Sequence, residues 1–138
     1  MNAVAPRRAL QMYEKVGYEA TVEFADQHAL VSLLFRALMQ ALADTERHMQ
    51  GAEFAAKAQT VAKAHDILSG LRSTLDFERG GDLALDLDAI YGYCARLLFK
   101  AHVANDPSGL REARGLLGSL ESAWQQVPAQ LAATAGVQ

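Results

Sequence analysis

The sequence predicts an all-α protein: an antiparallel, up-down four-helix bundle with a short N-terminal cap segment. Its 138 residues contain only three prolines, Pro6, Pro107 and Pro128. The long stretches between them are rich in Ala, Leu, Glu, Arg and Gln, and they lack the alternation of β-branched and polar residues that is typical of strands. Four segments carry apolar residues at steps of three and four, and because their connections are short, neighbouring helices should be antiparallel.

The first two predicted helices span residues 26–50 and 53–78. Asp26 is a candidate N-cap for the first helix, and Gly51 ends it. The residues in helical register form one apolar face on each helix. These faces consist of Val31, Leu34, Leu38, Leu42, Thr45 and Met49 in the first helix, widened by Phe35 and Met39, and of Phe54, Ala58, Val61, His65, Leu68, Leu71 and Leu75 in the second.

The third predicted helix spans residues 82–104, and the fourth follows the sequence "NDPSGL". In the fourth, Asp106 is the predicted cap, Pro107 takes the first helical position, and Pro128 ends the pattern. The predicted core faces are Leu83, Leu87, Ile90, Cys94, Leu97 and Ala101 in the third helix, and Leu110, Ala113, Leu117, Leu120, Trp124 and Val127 in the fourth.

Length and charge favour one soluble, cytoplasmic domain over residues 1–138. Within it, residues 1–25 are the expected cap segment, 26–127 the bundle and 128–138 a disordered tail. The net charge is −3 and the basic residues are scattered among the acidic ones, so the sequence predicts no basic patch that would bind nucleic acid. No run of about 18 apolar residues predicts membrane insertion, the charged start does not resemble a secretory signal, and a single cysteine forms no internal disulfide.

The acidic stretch "LDFERGGDLALDLDAIYGYC", residues 75–94, first suggests a cation site. An EF-hand loop that began at Asp76 would need a bidentate glutamate at its twelfth position, where this chain has Leu87. We therefore interpret the stretch as a corner between two helices, in which Gly80 ends the second helix in a left-handed conformation and Asp82 caps or enters the third. Asp82 and Asp86 then lie at the positive end of the third helix dipole.

Other chemistry finds no support, so we predict no enzyme activity, catalytic residue, metal or cofactor. A di-iron bundle requires Glu-x-x-His pairs, and none of the four histidines has an acidic residue three positions before it. Cys94 and His65 fall in apolar register, where a core or boundary role is more common than catalysis.

A second apolar stripe on the third helix lies outside its predicted core face. It consists of Leu85, Ala89, Gly92, Phe99 and Val103. One explanation is that an interior helix touches two neighbours in the bundle. The other is that the stripe binds a partner helix, with Ala89 and Gly92 small enough to allow close approach, and that the apolar N-terminal 25 residues cover it until the partner displaces them.

Several separate segments resemble one known family. The helix "SLLFRALMQAL", the corner "LDFERGG", the helix "LDAIYGYCARLL", the short "ND" turn and the helix "GLLGSLESAW" follow one another in the order and spacing of the FliS family, the flagellar export chaperones. The resemblance covers roughly residues 25–127 and implies an antiparallel helical bundle without catalytic activity.

The resemblance also implies partners. Members of the family bind the C-terminal segment of flagellin, prevent its premature polymerisation in the cytoplasm and assist its delivery to the type III export gate, and some bind an anti-sigma factor. Tyr13 and Tyr18 are the candidates for the tyrosines of the family's N-terminal cap. The alternative function is a structural or oligomerising bundle, or an adaptor for another amphipathic helix such as that of an anti-sigma factor.

Overall fold

The computed structural model describes residues 27–127, which form four α-helices. They are α1 (Gln27–Gln50), α2 (Phe54–Ser73), α3 (Phe77–Ala104) and α4 (Ser108–Gln125). The predicted all-α four-helix architecture is confirmed. The expected cap segment (1–25), residue Asp26 and the expected tail (128–138) lie outside the described residues.

The helices form a ring in which each lies beside the two that are adjacent to it, α1 and α4 closing the ring. The end of α1 meets the start of α2, where the Thr45 hydroxyl donates to that of Thr60 over 2.8 Å. The start of α2 meets the end of α3, where Lys57 Nζ donates to Asn105 Oδ1 over 2.9 Å. These end-to-start contacts make neighbouring helices antiparallel, as the short connections predict.

The core is richest along α1, where all six residues of the predicted apolar face are buried. Phe35, which was predicted to widen that face, is also buried. Burying each large aliphatic side chain contributes about 1.5–3 kcal/mol to folding. The buried residues of α1 are Leu30, Val31, Leu34, Phe35, Ala37, Leu38, Ala41, Leu42, Thr45 and Met49.

The apolar face of α2 is rotated relative to its prediction. Val61, Leu68, Leu71 and Leu75 are buried as expected, but Phe54 and Ala58 are exposed and His65 is half-buried. Lys57, Ala64 and Ile67 are buried instead. The buried Lys57 is accommodated because its ammonium group donates to the His102 carbonyl and the Asn105 side chain, at 3.1 and 2.9 Å.

The boundary between α2 and α3 lies earlier than predicted. Helix α2 ends at Ser73 rather than Glu78, and α3 begins at Phe77 rather than Asp82. The N-cap of α3 is Asp76, whose carboxylate accepts hydrogen bonds from the backbone N–H groups of Glu78 and Arg79, both at 3.1 Å. This cap satisfies two donors that a helix start otherwise leaves unpaired.

The glycine pair therefore lies inside α3 and does not end α2. Gly81, not Gly80, has positive φ (φ 48°, ψ −125°), and it kinks the helix at that point. A residue with a Cβ is strained in this conformation, whereas glycine adopts it without steric cost. The prediction that Gly80 adopts the left-handed conformation is wrong, whereas the prediction that Asp82 enters a helix agrees with the helical backbone that resumes after the kink at Gly81.

The core register of α3 also differs from its prediction. Of the six predicted core residues, only Cys94 and Ala101 are buried, while Leu87, Ile90 and Leu97 are half-buried and Leu83 is 47% exposed. The α3 residues that are buried are Ala84, Tyr91, Gly92, Cys94, Leu98 and Ala101. The face that contacts the other helices is therefore shifted by about one residue over much of the helix.

Helix α4 follows its predicted face closely. Leu110, Ala113 and Leu117 are buried, and Leu120, Trp124 and Val127 are half-buried. The helix begins at Ser108, one residue after the predicted start at Pro107, and Asp106 Oδ1 accepts from the Ser108 backbone N–H over 3.0 Å. This carboxylate supplies the predicted cap.

Candidate functional site

The predicted stripe on α3 lies largely on the open surface of the described bundle. We call Leu85, Ala89, Gly92, Phe99 and Val103 the α3 stripe. The exposed fractions of Leu85, Phe99 and Val103 are 57%, 60% and 70%, and Ala89 is also exposed. Packing against a second helix of the bundle therefore does not explain why these four exposed positions are apolar.

Gly92 differs from the other members because arginine side chains cover it. A Cβ at Gly92 would lie 3.5 Å from Nη1 of Arg72 and 3.6 Å from Nη1 of Arg96. Asp88 holds Arg72 in place, accepting from Nε at 2.7 Å and from Nη2 at 3.2 Å, and the same hydrogen bonds raise the pKa of Arg72. The close approach expected at Gly92 is not available in this arrangement, because a partner would meet guanidinium groups first.

A groove runs between α2 and α3 beside the α3 stripe. Its two adjoining parts have volumes of about 470 and 450 Å³ and share His65 and Ala95. Burial lowers the pKa of His65 and so favours its neutral form; Asp66 opposes this effect and His102 adds to it. The remaining lining residues are Leu68, Ser69, Arg72 and Ser73 in one part and Arg96, Phe99 and Lys100 in the other.

A second apolar surface lies among α1, α3 and α4 and was not predicted as a site. It is a cavity of about 190 Å³ into which three helices contribute side chains. Burial raises the pKa of Tyr91, which keeps this phenol protonated. We call this cavity the end cavity. It is lined by Val31, Phe35, Leu83, Leu87, Tyr91, Leu120, Ala123, Trp124 and Val127.

His28 and Trp124 fix one wall of the end cavity. Their rings stack with centroids 4.7 Å apart. Trp124 Nε1 donates to the His28 carbonyl at 3.2 Å and to the Ser32 hydroxyl at 3.1 Å, and His28 Nε2 donates to the Trp124 carbonyl at 3.0 Å. These reciprocal bonds hold the first turn of α1 against the last turn of α4.

The N-terminal candidates Tyr13 and Tyr18 lie outside the described residues. The described chain begins at Gln27, four positions before Val31 of the end cavity. At about 3.3–3.6 Å per extended residue, the nine positions from Tyr18 to Gln27 span at most about 30 Å.

The titratable core groups do not form a reactive centre. Cys94 is buried, and burial raises its pKa to about 11, so that it remains a protonated, unreactive thiol at neutral pH. Within residues 27–127, no three His, Cys, Asp or Glu side chains group together as metal ligands. The four helices described by the structure are also too short or too polar to cross a membrane.

Comparison with known proteins identifies the family. The family model described as flagellar protein FliS matches residues 9–131 of the chain. The chain belongs to the FliS family. The match includes all four helices, both apolar surfaces and the positions of Tyr13 and Tyr18.

Individual FliS proteins are similar over nearly their whole length. The flagellar secretion chaperone FliSB of Pseudomonas aeruginosa is 37% identical over 120 residues, which are 87% of this chain and 95% of that protein. The flagellar secretion chaperones FliS of Salmonella typhimurium and Vibrio cholerae are each 33% identical, over 86% and 88% of this chain and 88% and 90% of theirs. These relatives are named as chaperones and not as enzymes.

Proposed function

We propose that this FliS-family protein is a cytoplasmic, non-enzymatic chaperone that binds the C-terminal segment of flagellin, prevents its premature polymerisation and assists its export. The observation that carries the proposal is the exposed α3 stripe. An amphipathic helix buries one apolar face, and the stripe offers exposed apolar residues on both sides of the arginine-covered Gly92 that can accept such a face. The names of the relatives, flagellar secretion chaperones, support a flagellar cargo.

Burial of exposed apolar side chains favours the binding of a peptide segment to the α3 stripe. Leu85, Phe99 and Val103 expose more than half of their area, and each large apolar side chain that becomes buried contributes roughly 1.5–3 kcal/mol. Part of that gain is offset by ordering a segment that is unfolded before it binds. The result is a site that binds a disordered amphipathic segment reversibly, as a chaperone that later releases its cargo must.

Residues 1–25 are proposed to act as a displaceable cap, with Tyr13 and Tyr18 as its anchors. The end cavity lies beside the start of α1 and has a largely apolar lining, which suits the aromatic side chains proposed for the cap. Flagellin would compete with this segment for apolar surface. The flagellar export gate is the proposed site of delivery, and an anti-sigma factor is a further partner of the same helical type.

Calorimetry with the C-terminal peptide of the organism's own flagellin tests the proposal. We expect binding with a negative heat-capacity change and a gain of helix in the peptide. Phe99→Asp should abolish or strongly weaken binding. Phe54→Asp is the matched control, because Phe54 on α2 is 59% exposed, close to the 60% of Phe99, but lies outside the stripe.

The competing explanation is that the stripe joins two copies of this chain. Light scattering across a range of protein concentrations distinguishes the two functions. A stable dimer that dissociates on Phe99→Asp, together with no binding of the flagellin peptide, would replace the proposed chaperone function with an oligomerising one.

A further inference from the structure

The α3 stripe has opposite charges at its two ends. Asp82 and Asp86 lie beside Leu85 near the start of the helix, and Arg96 and Lys100 lie beside Phe99 near its end. All four side chains are exposed, and none forms an ion pair with another residue between 27 and 127. Arg96 lies over the Tyr93 ring, with its guanidinium carbon 5.9 Å from the ring centroid, and keeps its positive charge there. The four charges can therefore interact with a ligand on the stripe.

Helix geometry places these four charges on one edge of the stripe. At 100° per residue, their directions from the helix axis fall within about 80° of one another. Asp82 and Lys100 are eighteen positions apart, which corresponds to about 27 Å along the axis, or five turns. A bound helix of five turns would therefore have its two ends beside charges of opposite sign.

The other charged groups near the middle of the stripe already have partners within the bundle. Arg72 and Asp88 form an ion pair with each other at 2.7 Å. On α4, the carboxylate of Glu112 accepts a hydrogen bond from the Tyr93 hydroxyl. The groove residue His65 has a lowered pKa because of its burial, and it adds little positive charge at neutral pH. Glu112 keeps its negative charge, and on α3 itself the charges without an ion-pair partner beside the stripe are the acidic pair and the basic pair.

We propose that this charge polarity sets the direction in which a helix binds the α3 stripe. The occupant is an amphipathic helix that has basic side chains at one end and carboxylates at the other. Its basic end lies against Asp82 and Asp86, and its acidic end lies against Arg96 and Lys100. The inference rests on the proposed chaperone function and adds the charge pattern and direction of the bound segment.

Apolar contacts alone do not determine the direction, because a stripe of leucine, alanine, phenylalanine and valine packs a helix in either orientation. Complementary charges act mainly on specificity, since the wrong orientation places like charges together at both ends. Exposed charges interact weakly and are screened by salt, so the effect on orientation exceeds the effect on affinity. A helix with either arrangement of end charges is expected to bind, but the arrangement of its charges determines the orientation in which it binds.

Two synthetic peptides with the same apolar face provide the test. One has lysines in its first turn and glutamates in its last, and the other has these charges exchanged. Each carries a spin label at its N-terminus, and paramagnetic broadening of amide signals in the full-length chain reports which end of α3 lies nearby. We expect the two labels to broaden opposite ends of α3, because each peptide should place its lysines beside Asp82.

A charge-reversed chain sharpens the test. In the variant Asp82→Lys, Asp86→Lys, Arg96→Glu, Lys100→Glu, both peptides should reverse direction. Lys63→Glu is the control, because Lys63 is an exposed charge on α2 outside the stripe and the groove, and both directions should be unchanged. In low salt, the mixed-charge peptides should also bind roughly three- to tenfold more tightly than a peptide with glutamates at both ends.

The outcomes separate this inference from the proposed function. If both peptides bind in the same N-to-C direction regardless of their charges, or if the reversed chain leaves their directions unchanged, the inference is overturned. The inference is also overturned if the flagellin peptide binds and neither synthetic peptide does. In that case the proposed chaperone function stands. If only the synthetic peptides bind and follow charge, the polarity is supported and flagellin is the wrong cargo; if nothing binds, both proposals fall.

Discussion

Helices α1 and α3 use their apolar residues in opposite ways. Of the 24 residues of α1, ten are buried, whereas the longer α3, with 28 residues, buries only six and leaves Leu83, Leu85, Phe99 and Val103 substantially exposed. Apolar residues in α1 therefore hold the bundle together. Much of the apolar surface of α3 is exposed in the described bundle and contributes little to its packing, as the proposed binding function requires.

The largest expected effect comes from removing a core side chain of α1. Leu38 is fully buried, so Leu38→Ala should lower the free energy of unfolding by about 2–5 kcal/mol, measured by denaturant titration with circular dichroism. The same substitution at Leu85, which is 57% exposed, should cost less than about 1 kcal/mol. Equal losses at the two positions would contradict the difference in packing between α1 and the exposed side of α3.

The kink in α3 predicts the next largest effect. Gly81→Ala should lower the free energy of unfolding by about 1–3 kcal/mol, because alanine is strained at φ 48°, ψ −125°. Gly115→Ala in α4 is the matched control: its new Cβ meets no atom within 4 Å, and the free energy of unfolding should rise by up to about 1 kcal/mol. Thermal unfolding of both variants tests this, and a stabilising Gly81→Ala would show that the kink is not required.

An ion cluster ties α1 to α4 and predicts a pH-dependent effect. Hydrogen bonds from Arg111, and secondarily from Arg114, lower the pKa of Glu46. A lowered pKa means that the ionised carboxylate favours the folded state at neutral pH, and that this contribution is lost as the pH falls below the ordinary glutamate value of 4.5.

Glu46→Gln should therefore lower the free energy of unfolding by about 0.5–1 kcal/mol at pH 7, since both arginines are partly exposed, and the difference from the parent should shrink in acid. Denaturant titrations at several pH values measure it. If Glu46→Gln costs as much in an Arg111→Gln, Arg114→Gln background as in the parent, the cluster does not act as described.

The smallest expected effect on folding comes from the substitution that should most impair binding. Phe99→Asp and Phe54→Asp, both at exposed positions, should each change the free energy of unfolding by less than about 0.5 kcal/mol. Parallel denaturant titrations check this. A large loss at Phe99 alone would mean that the α3 stripe contributes to the fold, and the contrast with α1 would fail.

The sequence predicts α1 well and α3 poorly for a physical reason. Apolar residues of α1 occupy one broad face, so that the 3-4 spacing has a single solution and all six predicted residues are buried. In α3, apolar residues surround much of the helix, so that several registers fit equally well. Leu83 and Leu87 fit the spacing of a core face but line the end cavity.

Local signals and long-range arrangements also differ in how readily a sequence reveals them. The position of Asp76, followed by Glu78 in the first turn, is typical of a helix start, and it indicates the true beginning of α3 better than the glycine pair does. Four of the five α3 stripe residues are exposed as a binding surface requires. The burial of Gly92 depends on Arg72 from another helix, and the end cavity depends on three helices, so neither has a local pattern.

The position of Trp124, which stacks on His28 in the wall of the end cavity, has a practical consequence. Trp124 is the single tryptophan of the chain, and it lines the end cavity while the α3 stripe contains none. Its intrinsic fluorescence therefore reports on one apolar surface alone. An emission shift when a ligand is added indicates a change at the cavity, and binding without such a shift indicates occupancy elsewhere, which gives this bundle a built-in optical probe that needs no label.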